Sequence, residues 1–341
     1  MICLGIESTA HTFGISVVRD EDKKVLSNVI NAFKTEGGEG GMIPVKVAEH
    51  HIDVLEETLK AALEKAGIKI EDVDLIAFSQ GPGIGHCLRI GAGAARSLSL
   101  LLKKPLIGVN HCIAHLEIGR FLTKADDPVL LYASGANTQV IAYEAGKYRV
   151  FGETLDLGIG NFLDSFGREL GLGFPAGPKI ESLAKEGKKY VKLPYSVKGM
   201  DIALGGIETN LREKMKKMSR ASDDKGATGE YSKEDLCFSV QETTFAMLVE
   251  VAERAMAHTG KNQLLLGGGV ACNKRLQEMC MIMCRERGAE SFVLENQYFV
   301  DNAAMIAICG LEMFKAGMKT AVEESGIRPY ERTDDVSVEW R

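Results

Sequence analysis

The chain has 341 residues, 45% hydrophobic and 26% charged, with a formal net charge of −6. At about 100 to 200 residues per domain this length implies two lobes, and the composition suits a globular protein with enough apolar material for both cores. It excludes an extended disordered chain, and the acidic balance argues against indiscriminate binding to nucleic acid.

In chain order, MICLGIESTAHTFGISVVRD reads as strand, small-polar turn (Ser8 to Thr12) and strand. The start lacks a basic leader and a long apolar core, and no stretch reaches about 18 uninterrupted apolar residues, so a soluble cytoplasmic protein without membrane contact is expected. PVKVAEHHIDVLEETLKAALEKAG places Val47, Ile52, Val54, Leu55, Leu59 and Leu63 at helical spacing and stops at Gly67. Then come a short buried strand in DLIAFSQ, a glycine loop in GPGIGHC, a small-residue helix in LRIGAGAARSLSLLL and a strand in PLIGV.

The next residues, Asn110 to His115, read NHCIAH. If they are helical, His111 and His115 share a face and can clamp one metal ion. A zinc peptidase would carry glutamate directly after the first histidine, where Cys112 stands, which counts against a metallopeptidase.

VLLYASGANTQVIAYEAGKYRVFGET, from Val129, repeats strand, small-polar turn (Ser134 to Thr138) and strand, and adds a third strand. GIGNFLDSFGRELGLGFPAGPKIE adds the carboxylates Asp164 and Glu181, candidates for ribose hydroxyls. KLPYSVKGMDIALGGIETNL through GEYSKEDL reads as an irregular polar insertion. Lys179 to Lys225 holds twelve basic against seven acidic residues, densest at LREKMKKMSR, so a phosphate-contacting patch stands there as an alternative to a solvated helix face.

The remaining elements are a helix in FSVQETTFAMLVEVAERAMAHTG, a strand in NQLLLGG, a helix in GVACNKRLQEMCMIMCRERG and a strand in SFVLEN. Gly267 to Gly269 form a strand-to-helix loop suited to an anion, although neither the Rossmann nor the P-loop spacing is present. Asp301 stands where a helix N-cap would, and also where an acidic third metal ligand would serve. Imidazole and oxygen ligands without thiolate suit iron or zinc. The eight cysteines lack a C-x-x-C pair and read as buried reduced thiols; Cys280 and Cys284 share a helical face. The end, IRPYERTDDVSVEW, is a charged tail. Strands alternating with helices imply central sheets covered on both faces.

In order, GIEST, AEHH, GPGIGHCLRIG, VNHCIAH, LYASGANTQV, LLLGGGVACN and VDNAAMIA resemble the universal tRNA threonylcarbamoyltransferases, the family of bacterial TsaD and of the catalytic subunit of the archaeal and eukaryotic KEOPS complex. The resemblance runs from Ile2 to about Trp340. It implies an α/β, two-lobed fold like actin, sugar kinases and heat-shock chaperone ATPases, with a nucleotide cleft between lobes. The expected division is 1–125 plus about 310–330 for the first lobe, 126–309 for the second, and 331–341 as a tail.

The implied activity is transfer of threonylcarbamoyl from threonylcarbamoyl-AMP to N6 of adenosine 37 in tRNAs reading ANN codons, with release of AMP. Carried over by motif, the metal ligands are His111, His115, Tyr132 and Asp301, holding one divalent ion, iron(II) ahead of zinc. The substrate or nucleotide contacts are Tyr132, Ala133, Ser134, Gly135, Ala136, Asp164, Gly177, Glu181 and Asn273, with ATP, ADP or AMP as further ligands. Glu7, near the first turn, is the one candidate named for a general base. Implied partners are tRNA, a kinase-like ATPase subunit, small dimerising subunits and a threonylcarbamoyl-AMP synthase upstream. The chain departs from the family pattern at Ile43, His86, Ala136, the DIALGGIET stretch and ENQYFV. A non-catalytic nucleotide-binding scaffold of the same fold is the alternative.

Overall fold

The structure, a computed structural model, describes residues 1–34, 43–223 and 230–341, with side chains of 219–223 outside the description. The chain divides into two compact units, 1–124 with 143–149 and 294–341, and 125–142 with 150–293.

The first unit opens with β1 (Ile2–Glu7), β2 (Thr12–Arg19) and β3 (Lys24–Ala32), followed by α1 (Pro44–Ala66), β4 (Leu75–Gly81), α2 (Gly85–Leu102), β5 (Leu106–Asn110) and α3 (His111–Leu122). The second contains β6 (Val129–Ala133), β7 (Thr138–Glu144) and β8 (Lys147–Glu153) except for their residues 143–149, then α4 (Ile159–Glu169), α5 (Gly177–Ala184), β9 (Val197–Lys198), β10 (Asp201–Ile202), α6 (Gly205–Asp223), α7 (Lys233–Thr259), β11 (Gln263–Gly267), α8 (Lys274–Glu286) and β12 (Glu290–Phe292). The chain then adds α9 (Asn296–Phe299) and α10 (Ala303–Lys315) to the first unit.

The sequence repeat is a structural repeat. One sheet runs β3-β2-β1-β4-β5 and the other β8-β7-β6-β11-β12. In each, the opening strand pairs antiparallel with the second strand of its hairpin and parallel with the next strand along, β4 or β11. A two-residue alternation lets a hairpin form locally, whereas the parallel neighbours need helical crossovers. Helix α1 starts with Pro44 in its first turn and ends at Gly67 in the left-handed region, φ 69°, as its pattern predicts.

Two elements differ from the sequence reading. The first sheet has a third strand, β3, whose half-buried edge pattern carries little apolar alternation. The expected irregular insertion contains the 19-residue α6, and its basic positions Arg212, Lys216 and Lys217 are exposed, which blurs apolar periodicity. Residues 219–225 of the basic segment lie outside the described side chains.

The return to the first unit comes at Leu294, earlier than the expected 310 or so, and α10 packs on β1 and β4. Glycines set that approach: a Cβ on Gly5 would lie 2.4 Å from Ala303 O, and one on Gly310 would lie 2.5 Å from Ala77 Cβ. Residues 331–341 also belong to this unit, with Thr333 and Val338 buried, so they are not a free tail. Among the described residues no helix is long and apolar enough to cross a membrane.

Candidate active site

His111 opens α3 because Asn110 ends β5 and caps the helix. The Asn110 side chain accepts from Cys112 N at 3.0 Å and Ile113 N at 3.2 Å, a cap worth about 1 kcal/mol. The helix so started puts His111 and His115 one turn apart, rings edge to face with centroids 4.9 Å apart. On the facing element, the cap of α10 is Asn302, whose Oδ1 accepts from Met305 N at 3.1 Å. Asp301 therefore does not cap.

The Asp301 Oδ1 atom lies 3.4 Å from His111 Nε2 and 3.5 Å from His115 Nε2. Among the described residues these three form a group whose ligand atoms lie within 4.8 Å of one another. Ligand atoms bonded at about 2.0–2.1 Å in a tetrahedral shell sit about 3.3–3.4 Å apart, so the two nitrogen-to-oxygen separations suit a shared cation.

Behind the histidine, Glu7 Oε2 lies 3.1 Å from His111 Nδ1 and Thr9 Oγ1 lies 3.2 Å from the same atom. Glu7 Oε1 accepts from Thr9 N at 2.7 Å and from the Thr9 hydroxyl. With Nδ1 engaged on that side, Nε2 is turned towards Asp301. Glu7 is fully buried, with Oε2 against His111 and Oε1 against Thr9.

Electrostatics match a cation. Burial, the largest influence, pulls the His111 imidazole down, but Glu7 and Asp301 together hold it well above its usual range. Burial pushes Asp301 up, yet His111 and His115 keep it well below the carboxylate range. His115 is driven down, mainly by burial. Two carboxylates beside two buried imidazoles call for positive charge, supplied by a proton or by a metal ion.

Cys112 is 2% exposed and its thiol is pushed up by burial, so nothing at that position takes the role of a peptidase glutamate. Cys280 and Cys284 are buried on α8; burial raises both thiols, Cys284 to about 11. All eight cysteines are free and seven are buried.

The second unit gathers the other expected residues. Tyr132 and Ala133 end β6, pairing with Gln139 and Thr138, and both are buried. The turn after them presents Gly135, Ala136 and Asn137 to solvent and closes with Ser134 Oγ donating to Asn137 O at 2.8 Å. It sits on the start of α4, where Gly160 N donates to Ser134 O at 3.0 Å and Asn161 N to Gly135 O at 2.9 Å.

A Cβ on Gly158 would meet Gly135 O at 2.4 Å, and one on Gly268 would meet Ala133 O at the same distance. Gly268 also has φ +86°, so glycine is required there on both counts. Asp164 Oδ1 accepts from Ala176 N at 2.7 Å beside Gly177, the first residue of α5. Glu181 Oε1 accepts from Lys274 N at 3.0 Å, and Asn273 caps α8 while donating to Gln241 Oε1 at 2.9 Å. Gln241, missed in the sequence, is marked there only by its place in a helix of mixed polarity. Turn, α4, α5 and the start of α8 thus meet around the carboxyl ends of the parallel strands β6 and β11, the end where open α/β sheets bind ligands.

A model of the family described as TsaD, tRNA N6-adenosine threonylcarbamoyltransferase, matches residues 24–308. The tRNA N6-adenosine threonylcarbamoyltransferase of Thermococcus sibiricus is 53% identical over 340 residues, 100% of each chain. That match decides the family. The chain belongs to the tRNA N6-adenosine threonylcarbamoyltransferases.

The cattle (Bos taurus) protein of the same name is 50% identical, with 99% of the transferase and 98% of the relative covered. A probable bifunctional tRNA threonylcarbamoyladenosine biosynthesis protein of Methanosarcina acetivorans is 51% identical; the transferase spans 59% of its length. Among solved structures, Thermococcus kodakarensis HypF aligns with TM-score 0.60 at 16% identity over 92% of the transferase and 48% of HypF. The activator of 2-hydroxyisocaproyl-CoA dehydratase from Clostridium difficile aligns with TM-score 0.53 at 12% identity, covering 93% and 97%. These likenesses concern the fold alone, an α/β architecture shared with those two proteins. The transferase is an enzyme of tRNA modification that forms threonylcarbamoyladenosine.

Proposed function

We propose that the transferase takes threonylcarbamoyl from threonylcarbamoyl-AMP to N6 of adenosine 37 in tRNAs reading ANN codons, using one divalent metal, iron(II) ahead of zinc. The observation that carries the metal assignment is the convergence of His111 Nε2 and His115 Nε2 on Asp301 Oδ1. Tyr132 is assigned as a fourth ligand by motif resemblance. When bound, the metal supplies Lewis-acid stabilisation of negative charge, worth several kcal/mol.

An exocyclic adenine amine is a weak nucleophile because its lone pair is shared with the ring. Activation therefore lies in the mixed anhydride. The N6 lone pair attacks the carbamoyl carbon, a C–N bond forms, the C–O bond to phosphate breaks, and AMP leaves while the amine proton passes to solvent. The chain's task is positioning. Glu7 and Thr9 hold His111 in one orientation, which avoids reorganisation during reaction.

The turn Tyr132 to Ala136, with Asp164, Gly177, Glu181 and Asn273, is assigned to the adenylate, and ATP, ADP or AMP occupies the same groups. Ala136 is compatible with that role because its side chain is exposed and its φ is not in the left-handed region. An anticodon-loop base is single-stranded and enters a pocket without duplex opening, its phosphates meeting basic side chains such as Lys216 and Lys217 of α6. We assign the transferase to the cytoplasm, in keeping with eight free cysteines. Its partners in this reading are a kinase-like ATPase, small dimerising subunits and a threonylcarbamoyl-AMP synthase. The longer, bifunctional Methanosarcina relative fits a second activity acting alongside this one.

The test is threonylcarbamoyl incorporation into tRNA with His111→Ala and Asp301→Ala, accompanied by metal analysis. Both variants are expected to lose metal and activity by about a thousandfold, the size of a several-kcal/mol effect. Wild-type rates in both would refute the metal role.

A further inference from the structure

Helix α3, which carries both histidines, is gripped on its other sides by the last residues of the chain. At its start, Glu331 Oε2 accepts from Asn110 Nδ2 at 3.0 Å, while Glu331 Oε1 accepts from Arg328 at 2.8 Å. Asn110 is the cap that sets where the helix begins, directly before His111. In the first turn, the Thr333 side chain meets the Cys112 thiol, and Thr333 is 4% exposed. In the second turn, Glu117 is 2% exposed and its Oε1 accepts from Trp340 Nε1 at 3.1 Å and from Tyr148 OH at 2.5 Å. Arg120 completes that carboxylate at 2.9 Å.

The chain end is itself anchored. Val338 N donates to Gly146 O at 3.1 Å, Ser337 bridges to Lys147, and the Arg341 guanidinium lies 4.3 Å over the Tyr143 ring. Met-rich or loose packing would leave such a helix free to slide; here the contacts are directional. A buried glutamate satisfied by three donors fixes the axial position of α3, since moving it by one residue would strand a charge in the interior. Helix α3 also packs against α10, which Asp301 and Asn302 directly precede.

We infer that residues 331–341 are a strap that positions α3, and that Glu331 and Trp340 act as positioning residues for the metal ligands through Asn110 and Glu117. Neither residue touches the site. Their effect is on how well His111 and His115 keep their separation from Asp301, which is what a metal ion reads. This rests on the metal assignment proposed above.

The experiment measures Zn2+ affinity of the full chain by competition with a chromogenic chelator, for the wild type and five variants. Outer partners of metal ligands typically contribute about 10–100-fold to affinity. Glu331→Ala and Trp340→Phe, the latter keeping an aromatic ring without the donor, are expected to weaken Zn2+ binding about tenfold. Glu331→Gln, which keeps an acceptor for Asn110, stays close to wild type, as does Glu339→Ala on the exposed side of the strap. Transfer activity lost in the first two returns as the metal concentration is raised.

His111→Ala separates the two readings. If it abolishes Zn2+ binding while Glu331→Ala and Trp340→Phe bind as wild type, the strap is overturned and the metal site stands. If His111→Ala binds as wild type, the metal site falls and the strap with it. Should Glu331→Ala not fold, Trp340→Phe decides; should neither fold, the segment is a folding element and the proposal is overturned.

Discussion

The two hairpin turns, one per unit, come from the same local grammar and end in different work. The first, Ser8 to Thr12, is closed over. Ser8 and Thr9 are buried, Ile84 N donates to Thr9 O at 2.7 Å, and a Cβ on Gly91 would lie 2.1 Å from Ser8 Oγ. The second, after Ala133, leaves Gly135, Ala136 and Asn137 in solvent. Both turns lean on the glycine-bearing start of a helix. What separates them is the group that each meets. In the first, Glu7 and Thr9 reach a histidine and act through side chains; in the second, the turn rests on α4 and Gly268 through its backbone. A turn's composition therefore tells where the chain reverses, and packing tells whether it supports a site or faces a ligand.

Substitutions can break that contrast. Glu7→Gln beside the closed turn should lower metal affinity and transfer by about 10–100-fold, the range for outer partners of ligands, with the melting temperature little changed. A rate within twofold of wild type would show that the Glu7 contact does no orienting. In the open turn, Gly268→Ala should act on stability first. A methyl 2.4 Å from Ala133 O on a backbone at φ +86° costs about 1–3 kcal/mol, read as a lower thermal midpoint. An unchanged midpoint would mean that the turn is not held by backbone packing.

A control away from both turns sharpens their difference. Asp235, in the capping box of α7, accepts from the backbone N–H of Ser232, Lys188 and Lys189, and these hydrogen bonds hold its carboxyl down to about 2. A depressed carboxylate contributes stability above its unfolded pKa of about 3.9, and that contribution disappears as pH falls towards 2. Asp235→Asn should therefore lose about 1 kcal/mol at neutral pH and show a flatter midpoint between pH 4 and 2, with transfer unaffected. Equal slopes in the two proteins would contradict it. The smallest effect belongs to Ala136→Gly, at an exposed position without positive φ. We expect a loss below about 1 kcal/mol from added backbone freedom and no gain in activity.

Much of the fold was legible in the residues. The alternating hairpins, α1 with its proline start and glycine stop, and the helical spacing of His111 and His115 are local matters, decided within a few residues by dihedral preference and apolar period. The edge strand β3 and the helix α6 were not, because an exposed edge and a charged helix carry little apolar contrast. At the site, Asp301 was visible as a carboxylate, but its apparent capping role was a coin with two sides. Only Asn302 taking the cap released it.

By itself the sequence determined the two hairpins, their repeat and the family, since these rest on patterns that a chain carries wherever it goes. Tertiary structure alone decided that Glu7 lies within hydrogen-bonding reach of His111, that Gly268 serves backbone contact and that Thr333 and Trp340 lie against α3. Each of those depends on residues distant along the chain being brought within hydrogen-bonding or van der Waals reach, and such short-ranged forces leave no period or spacing behind them.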